Sequence, residues 1–107
     1  MVSQSIEITV RQYLQAAGKA GIHARRAVLF GSHVKGKVDE WSDIDLVVIA
    51  PELEPPCNRG LVNKLWALRA FTDSRVEPIP CGEREWETDQ SRPILEIARR
   101  EGIEIQA

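Results

Sequence analysis

Two carboxylates one residue apart, Asp43 and Asp45, stand ten residues beyond a Gly31-Ser32 pair in the stretch LFGSHVKGKVDEWSDIDLVVIA. Residues i and i+2 of a strand share a face, so the acids lie side by side, about 7 Å apart along the chain, while Ile44 and Leu46 turn toward a core. Their repulsion is about 1 kcal/mol in water, and several times more where water is partly excluded, unless a cation lies between them. A hard oxygen site of this kind suits Mg²⁺, which binds through one or two carboxylates together with substrate phosphates. Gly31 supplies the other half: it has no side chain to block a phosphate, and if residues 32 to 36 form a short helix, their free N–H groups can hold an anion. Ser32 is then either the N-cap or a hydroxyl donor to phosphate. From Met1 to Lys37 there is one acid, Glu7, against six bases, and Arg25, Arg26, Lys35 and Lys37 bracket the turn in sequence. Paired acids can also merely solvate a strand start, but that reading leaves the basic turn beside them unexplained.

The surrounding pattern says which elements must hold these residues. Ile6, Val10, Tyr13, Leu14 and Ala17 recur at helical spacing, predicting an amphipathic helix over about 5–20. Strands are expected over 26–30 and 43–50, with the short helix at 32–36 between them. Pro51, Pro55 and Pro56 break the chain before a helix at 58–71, whose Leu61, Leu65 and Leu68 share a face. A third strand spans 74–79, stopped by Pro78 and Pro80. A last helix opens at Ser91-Arg92-Pro93, turns Ile94, Leu95, Ile97 and Ala98 inward and ends at Gly102; Ile103 to Gln106 can add an edge strand. This order predicts an α/β (α+β) fold: a small mixed sheet with helices on one face or both.

The 107 residues are expected to form one domain, 1–107, with a single modest core. A net charge of −2 argues against coating nucleic acid through bulk electrostatics. Residues 81–107 carry seven acids and four bases, which suits a protein contact at that end. Two cysteines, Cys57 and Cys81, and two histidines, His23 and His33, form no zinc pattern. With no signal peptide and no apolar run near the ~20 residues of a membrane span, the expectation is a soluble, cytoplasmic protein.

Gly31-Ser32, ten residues, then Asp43-x-Asp45 resembles the signature of the DNA polymerase β nucleotidyltransferase superfamily. Length and layout look most like its minimal nucleotidyltransferases from bacteria and archaea. The resemblance implies a polymerase β-like fold and three catalytic, metal-binding carboxylates, two of them Asp43 and Asp45 and the third from a neighbouring strand. Glu77 is favoured for the third and Asp73 is its rival; the family more often has Asp there. Two Mg²⁺ ions would then clamp the attacking and leaving oxygens of an in-line displacement on ATP. Gly31, Ser32, Lys35 and Lys37 are the candidate nucleotide contacts. The resemblance further implies an antitoxin that transfers AMP to a hydroxyl of a helical HEPN-domain toxin. The competing reading is a catalytically weak or inactive nucleotide-binding scaffold that neutralises its partner by binding. Nucleic-acid binding rests only on the basic first third, where no interleaving of aromatics with Lys and Arg suggests a base-stacking track. Homo-oligomerisation stays open. His33 is read as solvated, Trp41 as packed, and a bulky residue at Gly31 as costing phosphate approach without unfolding.

Overall fold

The computed structural model describes residues 2–36, 38–39 and 41–107. Helix α1 (Gln4–Lys19) begins where Ser3 Oγ accepts the Ile6 N–H at 3.3 Å, and it buries Ile6, Val10, Tyr13, Leu14 and Ala17. Strand β1 (Arg26–Phe30), the one-turn helix α2 (Ser32–Lys35) and strand β2 (Ile44–Ile49) follow. Beyond a 3₁₀ turn at Pro51–Leu53 comes α3 (Arg59–Ala67), capped by the Asn58 side chain and run out as a second 3₁₀ turn, Leu68–Ala70. Strand β3 (Val76–Cys81), α4 (Glu83–Thr88), α5 (Pro93–Glu101) and β4 (Ile103–Gln106) complete the chain.

The four strands are ordered β3-β2-β1-β4, with β2 and β3 parallel and the other pairs antiparallel. Alternation along the strands feeds two cores, so helices cover both faces. Ala27, Leu29, Ile44, Leu46, Val48 and Val76 face α1 and α3, joined by Leu65. Val28, Phe30, Val47, Ile49 and Cys81 face α5, meeting Leu95 and Ala98. Odd-numbered residues of β2 therefore point to the α5 side, which puts Asp45 on that face, beyond the apolar cover. The Tyr13 hydroxyl donates to the Leu65 carbonyl at 2.6 Å, tying α1 to α3, and burial drives its pKa up.

Two elements depart from expectation. β3 runs through Pro78 and Pro80 instead of stopping at them. It is an edge strand, and its odd-numbered residues bond to β2, as the Arg75 and Cys81 carbonyls show by accepting the Ile44 and Ala50 N–H groups at 2.8 and 3.0 Å. The prolines share the opposite parity, where no ladder donor is needed. Helix α4 is not predicted from the sequence, because its N-cap residue is a glycine and one of its two capping acceptors is remote. Gly82 has no side chain, and Glu54, far upstream, accepts the Glu85 N–H at 3.0 Å while Glu85 reaches back to the Gly82 N–H at 3.1 Å. Among the described residues no helix is long and apolar enough to cross a membrane.

Candidate active site

Asp45 on β2 is in parallel register with Glu77 on β3, so the two side chains leave the same face of adjacent strands. Asp43 precedes β2 on that same face. Burial pushes the Glu77 carboxyl above its usual range, and the charges of Asp43 and Asp45 push it further, against a smaller pull from Arg69. Asp45 is raised for the same two kinds of reason, burial first and Asp43 second, with His33 opposing. Glu77 thus stands within Coulomb reach of both aspartates. Asp73, its rival, is engaged elsewhere: Oδ1 accepts the Arg75 N–H at 2.9 Å, Oδ2 accepts Arg75 Nη2–H at 2.8 Å, and this pairing holds its carboxyl low.

Gly31 shapes the floor beside the acids. Its backbone (φ 80°, ψ −148°) lies in a region that only glycine enters freely. A Cβ there would overlap Oδ2 of Asp45 and sit 3.2 Å from its Cγ. Gly31 is also the N-cap of α2, so Ser32 is the first helical residue and not the cap. The Val34 and Lys35 N–H groups both donate to the Gly31 carbonyl at 3.1 Å. Among the described residues the Ser32 and His33 N–H groups have no backbone acceptor, and they are the donors an anion could use.

No three His, Cys, Asp or Glu side chains among the described residues are already grouped as a metal cage. The donor set nevertheless fits a hard divalent cation: three carboxylates on one face, two of them with raised pKa values that a cation would lower, and a glycine that leaves room for Asp45. The profile of the nucleotidyltransferase domain matches residues 9–100. The chain belongs to this family. A search of curated proteins gave no significant match. Among solved structures, a Sulfolobus solfataricus protein provisionally described as a nucleotidyltransferase is 14% identical at a TM-score of 0.59, covering 91% of this chain and 76% of that one. A toxin–antitoxin structure with AMP-PNP is 25% identical at a TM-score of 0.53, covering 92% and 70%. The fold is that of a minimal nucleotidyltransferase.

The basic residues of this nucleotidyltransferase domain are less concentrated than their sequence positions suggest. β1 carries Arg25 and Arg26 to the far end of the sheet, where Arg26 pairs with Glu87 at 2.8 Å and Glu104 at 2.9 Å. Lys35 stays near the turn, 3.7 Å from Glu101 in an exposed pair that holds it only weakly. Lys37 lies outside the described residues.

Two other residues differ from their sequence reading, and a third has no signal in the sequence. His33 is buried, 7% exposed, with Nε2 3.3 Å from the Ser42 carbonyl. Trp41 is 79% exposed and does not pack, whereas Trp86 lies against the second core under Arg99. Arg69 stacks over Trp66, donates to the Ser74 carbonyl and lends positive charge to Glu77; nothing in a helical stretch of sequence marks it out. An open cleft of about 540 Å³ lined by Pro51, Glu54, Glu83 and Arg84 lies past the other end of β2, away from the acids. Carboxylate register and the Gly31 cradle, not cavity size, single out the candidate site.

Proposed function

We propose that this domain transfers AMP from ATP to a hydroxyl of a partner protein, with Mg²⁺ held by Asp43, Asp45 and Glu77. The observation that supports it most is the Asp45–Glu77 register with Gly31 beside it. Bound Mg²⁺ would supply the charge that in-line displacement at phosphorus requires at the attacking and leaving oxygens. In the reaction the acceptor oxygen bonds to the α-phosphorus, the bond from that phosphorus to the bridging oxygen breaks, and pyrophosphate leaves. The acceptor proton passes to a carboxylate or to solvent. The Ser32 and His33 N–H groups, the Ser32 hydroxyl, Lys35 and Lys37 are assigned to the phosphates, which Gly31 lets close. The neighbour solved as a toxin–antitoxin pair with AMP-PNP supports an antitoxin role, ATP as donor and a protein acceptor. A helical HEPN-type toxin in the cytoplasm is the partner assigned here.

Calorimetric titration of ATP with Mg²⁺ tests the site. Wild type should bind only with the metal, and Asp43→Asn/Asp45→Asn should not bind. A partner complex that forms without nucleotide and ignores the double substitution would make the domain a scaffold, a reading that the Glu at position 77 favours.

The third carboxylate has its own test. Glu77→Gln should lower transfer by more than the ~10–100-fold that loss of an outer partner of a metal site costs, with a smaller effect on nucleotide affinity. Asp73→Asn should change transfer little and instead lower stability by about 1–2 kcal/mol, since it loosens the bonds to Arg75. The reverse pattern would assign the third carboxylate to Asp73.

A further inference from the structure

His33 is one of only two buried polar or charged residues among the described ones; the other, Glu85, is accounted for by its bonds to Gly82 and Arg92. It sits on α2, two residues after Gly31, and its ring spans from the turn to the start of β2. A carbonyl oxygen can only accept, so the contact with Ser42 requires the proton on Nε2. At 3.3 Å the bond is near the long limit, yet removing the donor leaves a part-buried carbonyl unpaired.

Ser42 is held from the other side as well. Its N–H donates to the Asp39 carbonyl at 3.2 Å, and its Oγ accepts the Asp39 N–H at 3.0 Å. On the far side of Asp43, the Ile44 N–H donates to the Arg75 carbonyl at 2.8 Å. Asp43 thus lies between two pinned residues, and one of the pins comes from the helix that follows Gly31.

We propose that His33 is a positioning residue: by holding the Ser42 carbonyl it fixes the backbone from which Asp43 presents its carboxylate, and so sets the Gly31-Ser32 turn and the acids at a constant separation. This rests on the acids' role in binding Mg²⁺ and nucleotide. A histidine that merely fills space would be replaced by leucine without consequence for the site. Glutamine, by contrast, carries an N–H donor near the position of Nε2.

The test compares wild type, His33→Leu and His33→Gln by backbone amide NMR without ligand and by calorimetry with ATP and Mg²⁺. His33→Leu should displace the Ser42, Asp43 and Ile44 amide resonances while sparing those of α5. It should also weaken Mg²⁺-dependent ATP binding about tenfold or more. His33→Gln should move both readouts back toward wild type. Unmoved amides, undiminished affinity in His33→Leu, or a glutamine variant no better than leucine would overturn the proposal. If wild type itself binds no ATP, the transferase reading fails, and the amide shifts still decide the role of His33. Should His33→Leu not fold, the ring nitrogens of wild-type His33 decide: a proton on Nδ1 alone overturns the proposal, and one on Nε2 supports it.

Discussion

Asp45→Asn is expected to reduce nucleotidyl transfer by well over ~100-fold, beyond the usual cost of an outer partner of a metal site, and at the same time to make the metal-free protein harder to unfold. Asparagine keeps the size of the side chain and removes its charge. The carboxyl of Asp45 is raised by burial and then by Asp43, and that of Glu77 by burial and by both aspartates. A group whose pKa is higher folded than unfolded contributes stability below its unfolded value and loses that contribution as pH rises through the folded one. Metal-free protein should therefore lose stability as pH climbs from about 4 toward neutrality, as far as these two groups govern it. Asp45→Asn should flatten that slope and Mg²⁺ should oppose it. Removing one repulsion of about 1 kcal/mol corresponds to a rise in Tm of about 4–8 °C for a domain of this size. Melting curves from pH 4 to 8, with EDTA and with Mg²⁺, check it. Retained transfer would take Asp45 out of the chemistry. Loss of transfer together with a lower Tm would make Asp45 a structural residue.

The elements around the acids were legible because they follow local rules. Alternation from Asp43 to Leu46 and the apolar run through Ile49 mark a strand with its acids on one side, and the spacing of Ile6, Val10, Tyr13 and Leu14 marks α1. What escaped is what depends on distant partners. Pro78 and Pro80 read as stops until the sheet order puts β3 at an edge, where their parity faces away from β2. At helix α4 only the Glu85 half of a capping box is local: the N-cap, Gly82, has no side chain, and the acceptor for the Glu85 N–H comes from Glu54, far upstream. α2 is a single turn, too short for periodicity to report that His33 faces inward. Arg25 and Arg26 are near Gly31 in sequence, yet an extended strand of five residues carries them about 16 Å away. Strand position in the sequence favours Glu77 over Asp73 as the third carboxylate, an assignment that the Glu77→Gln and Asp73→Asn variants decide; the parallel register sets Glu77 opposite Asp45, and Arg75 pairs with Asp73.

Gly31→Ala should remove most transfer and also destabilise the protein by about 1–3 kcal/mol, the usual cost of a strained backbone at a functional site; Gly31→Val should cost more. In the sequence, the whole effect of a bulky residue at Gly31 falls on phosphate approach and the fold is untouched. The structure changes both halves of that expectation, because φ is +80° at Gly31 and because the first atom of any side chain there meets the Asp45 carboxylate. A methyl group therefore acts on the acids before it acts on nucleotide. The two costs separate in a double-mutant cycle with Asp45→Ala, which removes the carboxylate and leaves the backbone angle unchanged. If contact with Asp45 contributes, Gly31→Ala will destabilise the Asp45→Ala protein less than it does wild type. Strictly additive losses of stability would assign the cost to the backbone angle alone, and Gly31 would then form the turn without shaping the space in which Asp45 sits. Coupling would mean that the glycine of the turn and the second aspartate belong to one packed unit, so that the ten residues between Ser32 and Asp43 span a contact already closed on their far side.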